Sequence, residues 1–379
     1  MIKIKLETLF STEKIGPVEI KNRFIRSATY TRSATDEGHV TDKMIKYYTD
    51  LAKGGVGLII TGIISIDQTG KAGKGQACLF DNSFIEGQKN LVKAVHEYSD
   101  VKIAPQLSHA GRQNRTPVAP SPVLYQINKK IPKELTSEEI KKIINSFVSA
   151  GCRAYESGYD LLQLNAGHGW LLCNFLSPST NKRTDDYGGS IQNRSKILVE
   201  IYNGIIDEVG KNFPIIVKLQ TQDFVEGGLK LTEGKEIAKI LVDTGYKAIE
   251  ASGGSGDTLL TPGKNYPSLI IKSKEEENYF LPNVKELNQI MGNCKRILMG
   301  GVRDPSEVEK LLQEKTIDFI AMARPLICEP DLPNKWYNGD LSLPLCNSCN
   351  SCYLSTLSGP VKCSTKRKLI RQREKEKGK

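Results

Sequence analysis

Asn165 and His168 stand where an apolar run, Asp160 to Leu164, gives way to a long polar loop, AGHGWLLCNFLSPSTNKRTDDYGGSIQNR, so this is where the sequence places its chemistry. An amide and an imidazole three residues apart can both donate hydrogen bonds to one substrate oxygen, and working groups concentrate where a rigid strand hands over to a loop. Taken alone, Asn-x-x-His is more simply a polar loop.

Three other sets of residues have the types that chemistry needs. Gln106 closes one β-rich run and Lys218 falls in another. An amide that donates and accepts, with a cation, suits the N–H and C=O edge of a flavin ring, where negative charge gathers on reduction; from pattern alone, a buried glutamine bonded to backbone and a snorkelling lysine are the simpler reading. Gly300-Gly301 and Ala323-Arg324 end the last two β-rich runs. Bare backbone and a guanidinium at these two places make a phosphate site the better reading, although each alone is commonplace. Finally, Cys346, Cys349, Cys352 and Cys363 crowd together near the C-terminus. Thiolates so spaced suit a [4Fe-4S] cluster or zinc, with four free thiols as an equal alternative.

The elements that must position these residues repeat. Short β-rich runs alternate with helical segments: Phe24 to Ala28, Gly57 to Thr61, Lys102 to Leu107, Asp160 to Leu164, Pro214 to Leu219, Lys247 to Ser252, Arg296 to Gly300 and Asp318 to Ala323. This alternation predicts a parallel sheet, and eight units fit a (β/α)8 barrel better than a doubly wound sheet. Thr136 with Glu139 forms a capping box for a helix with Gly151 as its stop, and Asp304-Pro305 caps another. In the helix beginning near Asn193, Ile197, Leu198, Ile201, Ile205 and Val209 fall on one face, and Gly210 follows. Residues 1–345 form the barrel domain in this reading, with IGPVEI as a hairpin closing its floor. Residues 346–379 form a cysteine-containing extension and basic tail, and residues 253–283 a lid or substrate wall.

Composition excludes other classes. The formal charge is +10, but the last fourteen residues hold eight Lys or Arg and two Glu, leaving a mildly basic body that argues against a nucleic-acid-binding face. The alternative of a platform that binds nucleic acid or a partner protein through the tail rests on that short segment alone. Without a signal peptide core or an eighteen-residue apolar run, the chain reads as cytoplasmic, with no membrane partner. Its oligomeric state stays open, a homo-oligomer included.

Ordered motifs carry a resemblance across residues 7 to about 330: KNRF leading into RSAT at 21–29, GGVGLIITG at 54–62, QLSHAGRQ at 106–113, FLSPSTNKRTDDYGGSIQNR at 175–194, and MGGVRDP with MARPL. The chain resembles the Old Yellow Enzyme family of NADH:flavin oxidoreductases, most closely the branch near 2,4-dienoyl-CoA and 2-enoate reductases. The resemblance implies FMN held by Ala28, Thr29, Tyr30, Ile63, Gln106 and Lys218 at its ring and by Gly300, Gly301, Ala323 and Arg324 at its phosphate. It implies a ping-pong reaction in which NADH or NADPH reduces the flavin and hydride then passes to an activated alkene, an enone or 2-enoate. A visiting nicotinamide needs no dinucleotide-binding domain, in keeping with the absence of G-x-G-x-x-G.

Within that resemblance Asn165 and His168 occupy the places of a donor pair for the substrate carbonyl oxygen, with Asn for the more usual His. Trp170 occupies the place of a tyrosine that protonates the α-carbon, and an indole is no general acid. Tyr30 is then the candidate proton donor. Trp170 and the short C-terminus keep other acceptors open: a quinone, a nitro compound, or amine demethylation. Arg32 is a candidate for a substrate carboxylate or CoA phosphate, and equally an ordinary surface arginine.

Overall fold

The computed structural model describes residues 5–98, 100–260 and 268–377. Eight parallel strands close into a barrel in sequence order: Phe24–Arg26, Leu58–Ser65, Lys102–Ser108, Leu162–Ala166, Ile215–Gln222, Ala248–Gly253, Lys295–Met299 and Phe319–Met322. The last pairs with the first, Ile320 opposite Phe24 and Met322 opposite Arg26. All eight β-rich runs are strands, and the second continues to Ser65 through a shift of register between Ile60 and Ile63.

The barrel floor is closed as the sequence suggests. Glu13–Ile15 and Val18–Ile20 pair as a hairpin, whose turn includes Gly16 at φ +59°. Its Ile15 and Ile20 are fully buried in one apolar cluster with Ile25, Leu58, Ile60, Ile216, Ile297 and Phe319, residues of the strands themselves. Glu13 ties the hairpin to the barrel by ion pairs with Arg23 at 2.8 Å and Lys295 at 3.2 Å.

The helices start where their caps stand. Thr136 Oγ1 accepts from the Glu139 amide at 3.2 Å while the Glu139 carboxylate accepts from the Thr136 amide at 3.0 Å. Such a box satisfies two amides that the first turn leaves without helical partners. The helix it starts, Ser137–Glu156, runs past Gly151. That glycine is a place of close approach instead of a stop: a Cβ there would lie 2.8 Å from Ile205 on the neighbouring helix Ile191–Val209. Ser190 caps this second helix, and Gly210 ends it at φ 85°. Asp304 caps Pro305–Gln313 as expected. Among the described residues no helix is long and apolar enough to cross a membrane.

Candidate active site

Side chains alternate in and out along a strand, and four consecutive barrel strands each place two polar residues on the same face near the C-terminal end. They are Gln106 and Ser108 on the third, Gln163 and Asn165 on the fourth, Lys218 and Gln220 on the fifth, and Glu250 and Ser252 on the sixth. None is more than 3% exposed. Strand register brings Gln106 opposite Gln163, Asn165 and Glu250 opposite Lys218, and Ser252 opposite Gln220. Ile63 lies beside Gln106.

Buried polar groups persist only when bonded, and these bond to one another. Gln106 Nε2 donates to Gln163 Oε1 at 2.6 Å, and Gln163 Nε2 to Glu250 Oε2 at 2.8 Å. Lys218 Nζ lies 3.0 Å from Glu250 Oε1 and donates to Ser27 Oγ at 2.9 Å, while Ser27 Oγ donates to Glu250 Oε1 at 2.6 Å. Gln106 and Lys218, paired by residue type alone, are therefore two ends of one network whose middle members the sequence reading missed. The available signal was an acid and an amide at inward positions of otherwise apolar strands.

His168 sits at φ +56°, an uncommon conformation for a residue with a Cβ. Its amide donates to Gln220 Oε1 at 2.7 Å and its Nε2 lies 2.5 Å from Ser252 Oγ. Desolvation of the ring, and after it the charge of Lys218, push His168 down to about 3, so it works as a neutral imidazole. Asn165 donates through Nδ2 to Ser108 Oγ at 3.2 Å. Both residues thus belong to the polar tier that contains Lys218. Tyr30 is placed differently: its hydroxyl donates to Lys74 O at 2.6 Å, and burial pushes the phenol up to about 12. Thr29 O approaches Gly62 so closely that a Cβ there would lie 2.4 Å away. Ala28 packs against the inner apolar cluster of the barrel strands, which also contains Met299 and Ala321.

Gly300 and Gly301 have φ values of 95° and 78°, and a Cβ on either would press on Tyr279. Arg324, which follows Ala323 into the short helix Arg324–Cys328, donates through Nη1 to Leu269 O at 2.7 Å, Ser348 O at 3.2 Å and Asn350 Oδ1 at 2.7 Å. The long insertion and the cysteine segment thus both reach this arginine. Residues 261–267 of that insertion lie outside the described residues. Arg32 is not aimed at a ligand: it donates to Thr356 O and Leu357 O, both at 2.8 Å, and Val361 N donates to Thr31 O at 2.9 Å. The residue holds the C-terminal extension on the barrel face.

The four clustered cysteines do not assemble as the metal expectation requires. Among the described residues no group of three or more His, Cys, Asp or Glu side chains is placed to hold a metal ion. Cys349 bonds Ser351 and Ser364, and Cys346 is buried. Cys352 is half-buried and its thiol is raised by burial. Cys363 Sγ accepts from the Lys366 amide at 3.4 Å, and the nearby thiol of Cys328, outside the cluster in sequence, lowers Cys363 and is itself raised. As placed, the described residues do not fit a [4Fe-4S] or zinc centre.

Residues 8–340 match the NADH:flavin oxidoreductase / NADH oxidase family. The chain belongs to this family of flavin oxidoreductases, the Old Yellow Enzyme group that its motifs indicated. It is 37% identical over 353 residues to an NADH oxidase of Thermoanaerobacter brockii, covering 90% of this chain and 52% of that one. Against an NADPH dehydrogenase of Clostridium acetobutylicum it is 32% identical over 327 residues, covering 85% and 92%. A solved 2-naphthoyl-CoA reductase superposes with a TM-score of 0.87 at 28% identity, covering 95% of this chain and 57% of that one. The chain thus spans about half the length of the first of these relatives. The residues present fit FMN, the cofactor of this family: a buried amide and cation stand in one network at the mouth, and two consecutive positive-φ glycines follow the seventh strand, Lys295–Met299.

Proposed function

We propose that this chain is an FMN-dependent NAD(P)H oxidoreductase of the ene-reductase type, acting on the activated C=C bond of an enone or 2-enoate. The observation that carries it is the dry polar tier on four consecutive strands, with neutral His168 and Asn165 beside the Gln106–Lys218 network. Bound FMN would accept hydride from NADH or NADPH and deliver it to the alkene β-carbon in a ping-pong sequence. Gln106 and Lys218, with Ala28, Thr29 and Ile63, would hold the ring; Gly300, Gly301, Ala323 and Arg324 would hold the phosphate, Arg324 through guanidinium nitrogens other than Nη1, which the protein already engages.

His168 and Asn165 donate to the carbonyl oxygen on which charge develops. One such donor in a dry site lowers the barrier by roughly 3 to 4 kcal/mol, and a neutral imidazole supplies an N–H without bringing a charge. For that role His168 Nε2 turns from Ser252. Tyr30 is the candidate source of the α-proton, for which its hydroxyl must leave Lys74 O; Trp170 can donate a hydrogen bond but no proton.

Anaerobic stopped-flow measurement tests the reading. Protein reduced by NADH or NADPH is mixed in turn with 2-cyclohexenone, a 2-enoate and a quinone. Fast reoxidation by an alkene is the expected result, slower in Tyr30→Phe. Reoxidation by the quinone alone would transfer the function to another acceptor, and protein that takes up no FMN would end the proposal.

A further inference from the structure

Glu250 occupies a position that the reactions of donors and flavin-facing groups do not account for. It is fully buried, on a strand otherwise reading Ala-Ile-x-Ala-Ser-Gly, and it is the acceptor at which two chains of hydrogen bonds end. We infer that Glu250 is a positioning residue of the cofactor site: it balances the charge of Lys218 and, through Gln163, dictates which end of the Gln106 amide is turned to the cofactor. The inference rests on the FMN reading above.

The polarity of the relay follows from the chemistry of its members. A carboxylate only accepts, whereas an amide side chain has one accepting and one donating end. Glu250 Oε1 is engaged by Ser27 Oγ and Lys218 Nζ, which leaves Oε2 to receive Gln163 Nε2 at 2.8 Å. With its nitrogen committed, Gln163 can present only Oε1 to Gln106, and Gln106 Nε2 donates there at 2.6 Å. Gln106 therefore keeps its Oε1 and its second N–H for a ligand, matching a ring edge that offers both N–H and C=O. No member of the network is more than 3% exposed, so water does not compete to reverse the amides. An amide at position 250 would remove this anchor, because it could itself face either way.

The charge argument is separate. A lone lysine at the pyrimidine edge would favour the reduced cofactor, on which negative charge gathers there. Glu250 at 3.0 Å makes the pair neutral and so holds the flavin potential down, which favours giving hydride away. A lysine–carboxylate pair remote from the ring edge would change stability when the carboxylate is replaced but would leave the relative binding of oxidised and reduced cofactor alone.

Deflavinated wild type, Glu250→Gln and Gln163→Met are compared by FMN titration and by equilibration with redox dyes. Glu250→Gln is expected to favour reduced over oxidised FMN by at least tenfold, an upward shift of about 30 mV in the two-electron midpoint potential. Gln163→Met, which leaves the ion pair intact, is expected to bind oxidised FMN about tenfold more weakly, with a smaller shift of potential. A potential in Glu250→Gln equal to wild type, with wild-type FMN affinity in Gln163→Met, overturns the inference. If Glu250→Gln does not fold, Gln163→Met decides: unchanged affinity overturns the relay. Wild type that binds no FMN would instead overturn the underlying reading, and the two failures are told apart by the colour of the wild-type protein.

Discussion

The two ends of the barrel interior are built from the same eight strands and are chemically opposite. Toward the floor, Ile25, Leu58, Ile60, Ile216 and Ile297 meet the hairpin isoleucines in an apolar plug. Toward the mouth, strands three to six turn in amides, hydroxyls, a lysine and a glutamate, equally buried and closed on one another by hydrogen bonds. Burial of apolar area stabilises the floor with no need of partners. The mouth is maintained only by exact pairing, since a buried ion pair does little for stability but is costly to break. The floor holds the fold, and the mouth is arranged for a ligand at the expense of stability.

Substitutions can break this contrast. Leu58→Ala in the plug is expected to reduce unfolding free energy by about 4 kcal/mol, measured by denaturant titration, with the rate of flavin reoxidation by alkene unchanged in the folded fraction. His168→Ala should do the reverse: alkene-driven reoxidation falls about a hundredfold or more, a loss of roughly 3 kcal/mol or more in barrier lowering, while the melting temperature stays close to wild type. Loss of activity in Leu58→Ala at full folding, or collapse of the fold in His168→Ala, would erase the division.

Proton linkage sharpens it. His168 is held near 3 in the folded chain against about 6.5 unfolded, so between those values only the unfolded state takes the proton. Its contribution therefore makes stability rise with pH across that window and fall as pH drops through it. Urea titrations from pH 7 to pH 4 should show a steeper loss in wild type than in His168→Ala. The smallest effect is expected at Arg32, where Arg32→Ala removes two bonds to the C-terminal extension. A stability change of about 1 kcal/mol or less, with faster proteolysis within residues 346–379 and unchanged FMN affinity, would mark that segment as a separable cover.

Much of the scaffold was legible along the chain. The eight strands, the floor hairpin and the caps at Thr136 and Asp304 depend on neighbours within a few residues, and the local pattern carries that information. The site was legible in part. Asn165, His168, Gln106 and Lys218 could be singled out by type and strand end, yet Glu250, Gln163 and Ser252 could not be joined to them, because their partners stand on other strands. Gly151 was misjudged and Arg32 left open for the same reason: what each does depends on Ile205 and Thr356, remote residues that only packing brings near.

By itself the sequence determined the periodicities, the caps and the kinds of side chain available at each strand end, since these follow from backbone geometry and residue chemistry within a few positions. Only the tertiary structure decided which buried polar groups meet, that a neutral histidine lies near a lysine's charge, and that Arg32 reaches the C-terminal extension. Barrel closure sets those distances, and hydrogen bonds and charges act only between groups that closure has brought within reach.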